Sequence, residues 1–199
     1  MRTYLSFLLT LGVVGALPLA GQTTLGLTGA VVGPVGDLDR MVGHQSGITA
    51  GLTLSIGLGQ GWVLRPRADY LYFPKHSEVT AVGSSGQETD FYTSDSVSST
   101  SVGLDGQYFF AGRPQGLYCL AGISSQAWRD KRAVQTITVA NGQVAVTSET
   151  LSSTWKHVGY SAGVGWQFNR HIAVEARYTL SQMGGLAANS LQLAAHVQF

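Results

Sequence analysis

The sequence predicts an all-β chain, an eight-stranded antiparallel up-and-down transmembrane β-barrel preceded by a cleavable signal peptide. Three observations predict it. Apolar and polar residues alternate with period two in segment after segment. The connections between those segments alternate between short and long. After an apolar N-terminal stretch, no second apolar run is long enough to cross a bilayer as a helix. The 199 residues carry 12 Lys and Arg against 11 Asp and Glu, so no net charge draws the chain to nucleic acid. With only 12% charged residues and 44% hydrophobic ones, it is too apolar for disorder. Cys119 is the single cysteine, which excludes an internal disulfide and a cysteine-rich metal site.

The N-terminal "MRTYLSFLLTLGVVGALPLAGQTT" has a basic Arg2, an apolar run from Leu5 to about Ala16, then Pro18 and the small residues Ala20 and Gly21. It reads as a signal peptide over 1–21, ahead of a barrel domain over 22–199. Strands are expected at 24–33, 47–58, 61–73, 98–110, 116–130, 153–168, 170–182 and 189–199. "GITAGLTLSIGL" puts Ile48, Ala50, Leu52, Leu54, Ile56 and Leu58 on one face and only small or hydroxylated residues on the other. "WVLRPRADYLY" sets Trp62, Leu64, Ala68, Tyr70 and Tyr72 against Arg65, Arg67 and Asp69. "SVGLDGQYF" sets Val102, Leu104 and Tyr108 against Ser101, Asp105 and Gln107. "HVGYSAGVGWQF" carries Val158, Tyr160, Val164, Trp166 and Phe168 on one face, and "HIAVEARYTLS" sets Ile172, Val174 and Tyr178 against Glu175 and Arg177. The last segment, "SLQLAAHVQF", sets Leu191, Leu193, Val197 and Phe199 against Ser190, Gln192 and His196.

The connections 59–61, 111–115 and 169–170 are short, whereas 34–46, 74–97 and 131–152 are long, so turns gather at one end and loops at the other. A bacterial outer-membrane barrel has that asymmetry. Within 131–152, "VQTITVANGQVAVTSET" is two alternating runs joined by Asn141 and Gly142, a strong two-residue hairpin signal. If Ala140 faces Gln143, Gly116 faces Gln167, and Tyr118 and Leu120 point inward opposite Gly165 and Gly163. Such strands exceed the roughly 9–11 residues that cross a bilayer, so much of the hairpin stands outside it. Trp62, Phe110, Trp166 and Phe168 fall outward near the short-turn end and Tyr70 and Tyr72 near the long-loop end, as two interfacial girdles.

Over its whole mature length the chain resembles the small eight-stranded outer-membrane β-barrels of the OmpA transmembrane-domain and OmpX kind. The resemblance implies that the C-terminal "LQLAAHVQF" is an assembly signal read by the barrel assembly machinery, with Phe199 as its central feature and Leu191, Leu193 and Val197 on the same face. It implies a diderm outer membrane as the location and its lipid as the surroundings. The inward Arg65, Arg67, Asp69, Asp105, Glu175 and Arg177 lie at similar heights, three cations with three anions. They read as a salt-bridge network that plugs the lumen, an ion or proton path being the functional alternative.

Some barrels of this size modify lipid A with a lipid-facing Ser and His. Here His157, His171 and His196 fall on the lumen face and His44 and His76 in loops, so no such pair emerges. No metal-ligand spacing and no cofactor-binding motif is present. The reading is a non-catalytic structural barrel whose surface loops contact external partners. A narrow pore gated by the lumen charges and a lipid A-modifying enzyme are the alternatives.

Overall fold

The computed structural model describes residues 23–74, 76–84, 88–140 and 143–199; of these, the side chains of 76–84, 88–95, 132, 134–140 and 143–144 are not described. The expected signal peptide over 1–21 and the expected hairpin turn at Asn141 and Gly142 lie outside the described residues. The elements are β1 (Thr23–Val35), α1 (Asp37–Met41), β2 (Gly47–Gly59), β3 (Trp62–Phe73), β4 (His76–Ser84), β5 (Glu88–Phe109), β6 (Gly116–Ala140), β7 (Gln143–Gln167), β8 (Ile172–Leu180), β9 (Gln182–Met183), β10 (Leu186–Ala187) and β11 (Asn189–Gln198).

Eight strands form a closed antiparallel ring in the order β1, β2, β3, β5, β6, β7, β8, β11, and β11 returns to β1 from Gly26 opposite Gln198 to Val35 opposite Asn189. The expected fold class is therefore the one observed. Period-two alternation makes the ring inside-out: Leu193 on the outer face is 68% exposed, whereas Glu175 in the lumen is 1% exposed. Ile56 departs from this pattern. Although its alternation places it outward, it is buried, between Thr23 and Leu64 and just before the register shift at Gly57–Gly59.

The β2–β3 turn runs through Gly59, Gln60 and Gly61, all with positive φ, and a Cβ on Gly61 would stand 2.5 Å from the Phe109 carbonyl oxygen. Glycine is required there by both backbone conformation and space. β6 and β7 are 25 residues each and pair without a break from Gly116 opposite Gln167 to Ala140 opposite Gln143. Tyr118 and Leu120 point inward opposite Gly165 and Gly163. A small residue on one strand makes room for a large one on the next.

Three segments differ from the expected loops. Residues 74–97 hold β4 and the upper part of β5, so His76 lies in a strand; β4 continues the line of β3 along β5, from His76 opposite Ser94 to Ser84 opposite Thr89. The alternation that marks a strand fails there because the Ser- and Thr-rich segment is not divided between lipid and lumen. Residues 34–46 contain α1, which lowers Leu38 into the barrel mouth, followed by Val42. The strand expected to reach 182 ends at Leu180, and the short β9–β10 hairpin follows. Phe110 falls one residue past the end of β5.

Since a Cβ on Gly165 would lie 2.2 Å from the Tyr118 ring, Gly165→Val should destabilise the barrel by about 1–3 kcal/mol. Urea titration followed by the heat-dependent shift in SDS electrophoresis checks this; an unchanged midpoint would mean that Tyr118 has room to move.

Candidate functional site

The alternation of β3, β5 and β8 delivers six charged side chains to one level of the lumen. β3 contributes Arg65, Arg67 and Asp69, β5 contributes Asp105, and β8 contributes Glu175 and Arg177. Arg65 Nη2 donates to Glu175 Oε2 at 2.7 Å and to Asp105 Oδ2 at 3.2 Å. Arg177 Nη2 donates to Asp105 Oδ2 and to Glu175 Oε1, both at 2.7 Å, and its Nε reaches Glu175 Oε1 at 2.9 Å. Arg67 Nε donates to Asp105 Oδ1 at 3.2 Å and its Nη1 to Asp69, which also accepts from Ser101 Oγ at 3.4 Å. The cations and anions are equal in number, and each anion is shared or chelated.

Two further groups belong to this layer and were not read from the sequence. Tyr118 Oη donates to Glu175 Oε2 at 3.1 Å, and His196 Nε2 stands 3.4 Å from the same oxygen, while Nδ1 lies 2.9 Å from Thr28 Oγ1. Their signal was present in the chain: both are inward by parity, Tyr118 opposite a glycine and His196 on the polar face of the last strand.

The layer is closed on both sides. Towards the turns, Val63, Phe109, Tyr118 and Leu120 form an apolar cluster. Towards the loops, a cavity of about 20 Å³ lies among Thr49, Arg67, Asp69, Ser99, Gln126 and Thr179, room for about one water. Beyond it, Val32, Leu38, Val42, Phe73, Trp128 and Met183 lead an apolar cap. Trp128 Nε1 is held by Gln126 Oε1 at 3.0 Å and Ser181 Oγ at 3.2 Å.

The outer surface places the remaining candidates. Trp62, Tyr70, Phe110, Trp166 and Phe168 are exposed and Tyr72 is half-buried. Trp62 packs on Tyr108 with ring centroids 5.0 Å apart, and Tyr108 meets Phe110 at 5.5 Å. Leu191, Leu193, Val197 and Phe199 are exposed along the outer face of β11, and the Phe199 amide donates to the Leu25 carbonyl at 2.8 Å. Of the histidines expected in the lumen, His196 is buried and His157 half-buried there, but His171 is exposed. It precedes β8 in the Asn169–His171 turn, with Nδ1 2.9 Å from the Gln198 carbonyl, so strand parity does not govern it. His44 pairs with Asp39 at 2.6 Å on the surface. Among the described residues no cluster of three or more His, Cys, Asp or Glu forms a metal site.

A ring of lipid-facing strands around an ion-paired lumen defines a membrane-spanning barrel. Residues 6–199 match the model of the outer membrane protein beta-barrel domain family, and the chain belongs to that family. Its fold is similar to that of Ail, the attachment invasion locus protein of Yersinia pestis. The TM-score is 0.53 at 14% identity, over 90% of this chain and 99% of that one. A second structure of Ail, in complex with the heparin analogue sucrose octasulfate, gives 0.51 at 13% identity, with coverage of 90% and 99%. Neisserial surface protein A gives 0.48 at 14% identity, with coverage of 89% and 97%. No curated protein sequence matches the chain.

Glu175→Ala would leave Arg65 and Arg177 each short of a buried partner. Removing one member of a buried ionic network costs about 3–5 kcal/mol, so the variant should unfold at distinctly lower urea. Unfolding at the wild-type concentration would mean that water enters the lumen and solvates the two arginines.

Proposed function

We propose that this chain is a non-catalytic barrel of a diderm outer membrane, closed to solutes along its axis, whose function is carried by the sheet that rises beyond the lipid-facing band. The observation that carries this reading is an unequal ring. β7 pairs with β8 only from Tyr160 opposite Leu180 downward, so the stretch 143–159 is paired with β6 alone among the described residues. With β4, β5 and β6 it forms a four-stranded wall, and beyond Trp155, which packs beside the β9–β10 hairpin, its edge offers backbone donors and acceptors to an added strand. Val146 and Leu151 are exposed on opposite faces of that edge strand. A partner that contributes an extended segment fits this edge, with main-chain pairing supplying affinity and those side chains selectivity.

The filled lumen argues against the pore. The resemblance that assigns Phe199, with Leu191, Leu193 and Val197, to the barrel assembly machinery belongs to the same proposal; lipid surrounds the outer face.

Replacing residues 131–152 by a two-residue turn should leave a folded, SDS-resistant barrel while abolishing adhesion of expressing cells to cultured host-cell monolayers. Adhesion that survives would remove the wall from the function. In planar bilayers the intact protein should be electrically silent, and steady conductance sensitive to Arg67→Ala would restore the pore. Phe199→Ala should lower the amount of barrel assembled in the outer membrane, measured as the heat-shifted band; full assembly would remove that residue from the signal.

A further inference from the structure

Among the described residues the wall has two edges, β4 on one side and the upper part of β7 on the other. Natural sheets guard an exposed edge with Lys, Pro, a bulge or a short strand. β4 is guarded: it is 9 residues long, and its pairing with β5 shifts register twice, between His76 and Thr80 and between Val82 and Ser84. The upper part of β7 has none of these devices. From Gln143 to Thr154 it reads QVAVTSETLSST, with no Pro, Gly, Lys or Arg and a single charge, Glu149. Its pairing with β6 runs through this stretch without a shift, so no bulge turns the edge aside. The residues from Ala145 to Thr154 are exposed, Val146 at 60% and Leu151 at 46%. A long edge rich in strand-forming residues is thus left open.

Strand direction decides how a second copy of the chain can use it. β7 runs from the far end of the wall at Gln143 to the short-turn end of the barrel at Gln167. Two copies in one membrane hold their β7 strands parallel, the weaker of the two pairings. Copies in facing membranes present them antiparallel, related by a two-fold axis perpendicular to the sheet. Residues directly opposite in a ladder share a face, so that axis must set one residue opposite its own copy. With Glu149 at the axis, two carboxylates would stand side by side and Gln143 would meet Trp155, which packs beside the β9–β10 hairpin. With Thr147 at the axis, the shared ladder would lose a rung at each end. Ser148 avoids both faults. Thr147 then faces Glu149, Val146 faces Thr150 and Ala145 faces Leu151, and the edge is used from Gln143 to Ser153. No like charges meet, a hydroxyl stands beside each carboxylate, and small residues face large ones as Gly163 faces Leu120 in the barrel.

We infer that the upper edge of β7 pairs antiparallel with the same edge of a second copy of this chain in an apposed membrane, Ser148 opposite Ser148. This rests on the reading of that edge as a strand acceptor and adds a second copy as its occupant. One such contact is a single ladder between two exposed strands and is weak by itself. Many copies on two facing surfaces act together, so the surfaces hold where one pair of molecules does not.

The mature chain would be reconstituted, wall outward, into neutral phosphatidylcholine vesicles in two populations bearing different dyes, with energy transfer between populations reporting their contact. Wild-type vesicles should cluster. S148K alone and S148E alone should each cluster about tenfold less, because like charges then face one another across the two-fold. S148K vesicles mixed with S148E vesicles should cluster as the wild type does. The heat-dependent mobility shift confirms that each variant is folded. Wild-type vesicles that stay apart, single variants that cluster undiminished, or a mixture that does not recover would each overturn the inference. In any of those cases, host-cell adhesion that still depends on residues 131–152 would leave the edge as a binding surface for other partners. Adhesion independent of those residues would remove the edge reading as well.

Discussion

Every backbone amide inside a bilayer has to find its partner within the protein, since lipid tails offer none, and the rest of this structure depends on that constraint. An open sheet leaves two unpaired edges. Here the first and last strands join, from Gly26 opposite Gln198 to Val35 opposite Asn189, and no edge remains at membrane depth. Closure with eight strands sets the bore, which is just wide enough for side chains to fill. The sequence must then provide a lumen filling and a lipid-facing coat from alternate positions of the same strands.

The filling has three layers with different physics. Apolar clusters at each end exclude water, and between them lies an ionic layer in which Asp105 serves three arginines and Glu175 two. Low dielectric makes each of these pairs strong and each missing partner costly. Charge balance and exclusion of water therefore reinforce one another. The apolar cap also shows why a five-residue helix persists: α1 contributes Leu38, fully buried, and its neighbour Val42 completes the same cluster. The helix is held by the mouth that it closes.

The barrel was legible where each strand has two different solvents. Lipid on one side and lumen on the other impose a strict alternation, and Arg65, Arg67, Asp105, Glu175 and Arg177 could be assigned to a common level from parity and distance along their strands. Beyond the membrane both faces of a strand meet water, so β4 and the upper part of β5 carry no such contrast and look like a Ser-rich loop. The upper parts of β6 and β7 were legible for a different reason, the Asn-Gly turn and the register that it imposes. The contributions of Tyr118 and His196 depend on how far a side chain reaches across the bore, and alternation says which way a residue points without saying whom it meets. His171 shows the converse limit, since one step outside a strand the alternation has no authority.

The unbroken pairing of β6 with β7 has a mechanical meaning. Each strand runs 25 residues from the far end of the wall to the short-turn end of the barrel, with no loop or hinge between the part in water and the part in lipid. A pull on the tip along the barrel axis draws both strands the same way, so the load falls in shear on the rungs that join β6 to β5 and β7 to β8, which share the force instead of opening one after another. The wall therefore acts as a rigid mast stepped in the membrane, and tension applied at its far end passes directly to the barrel's own staves.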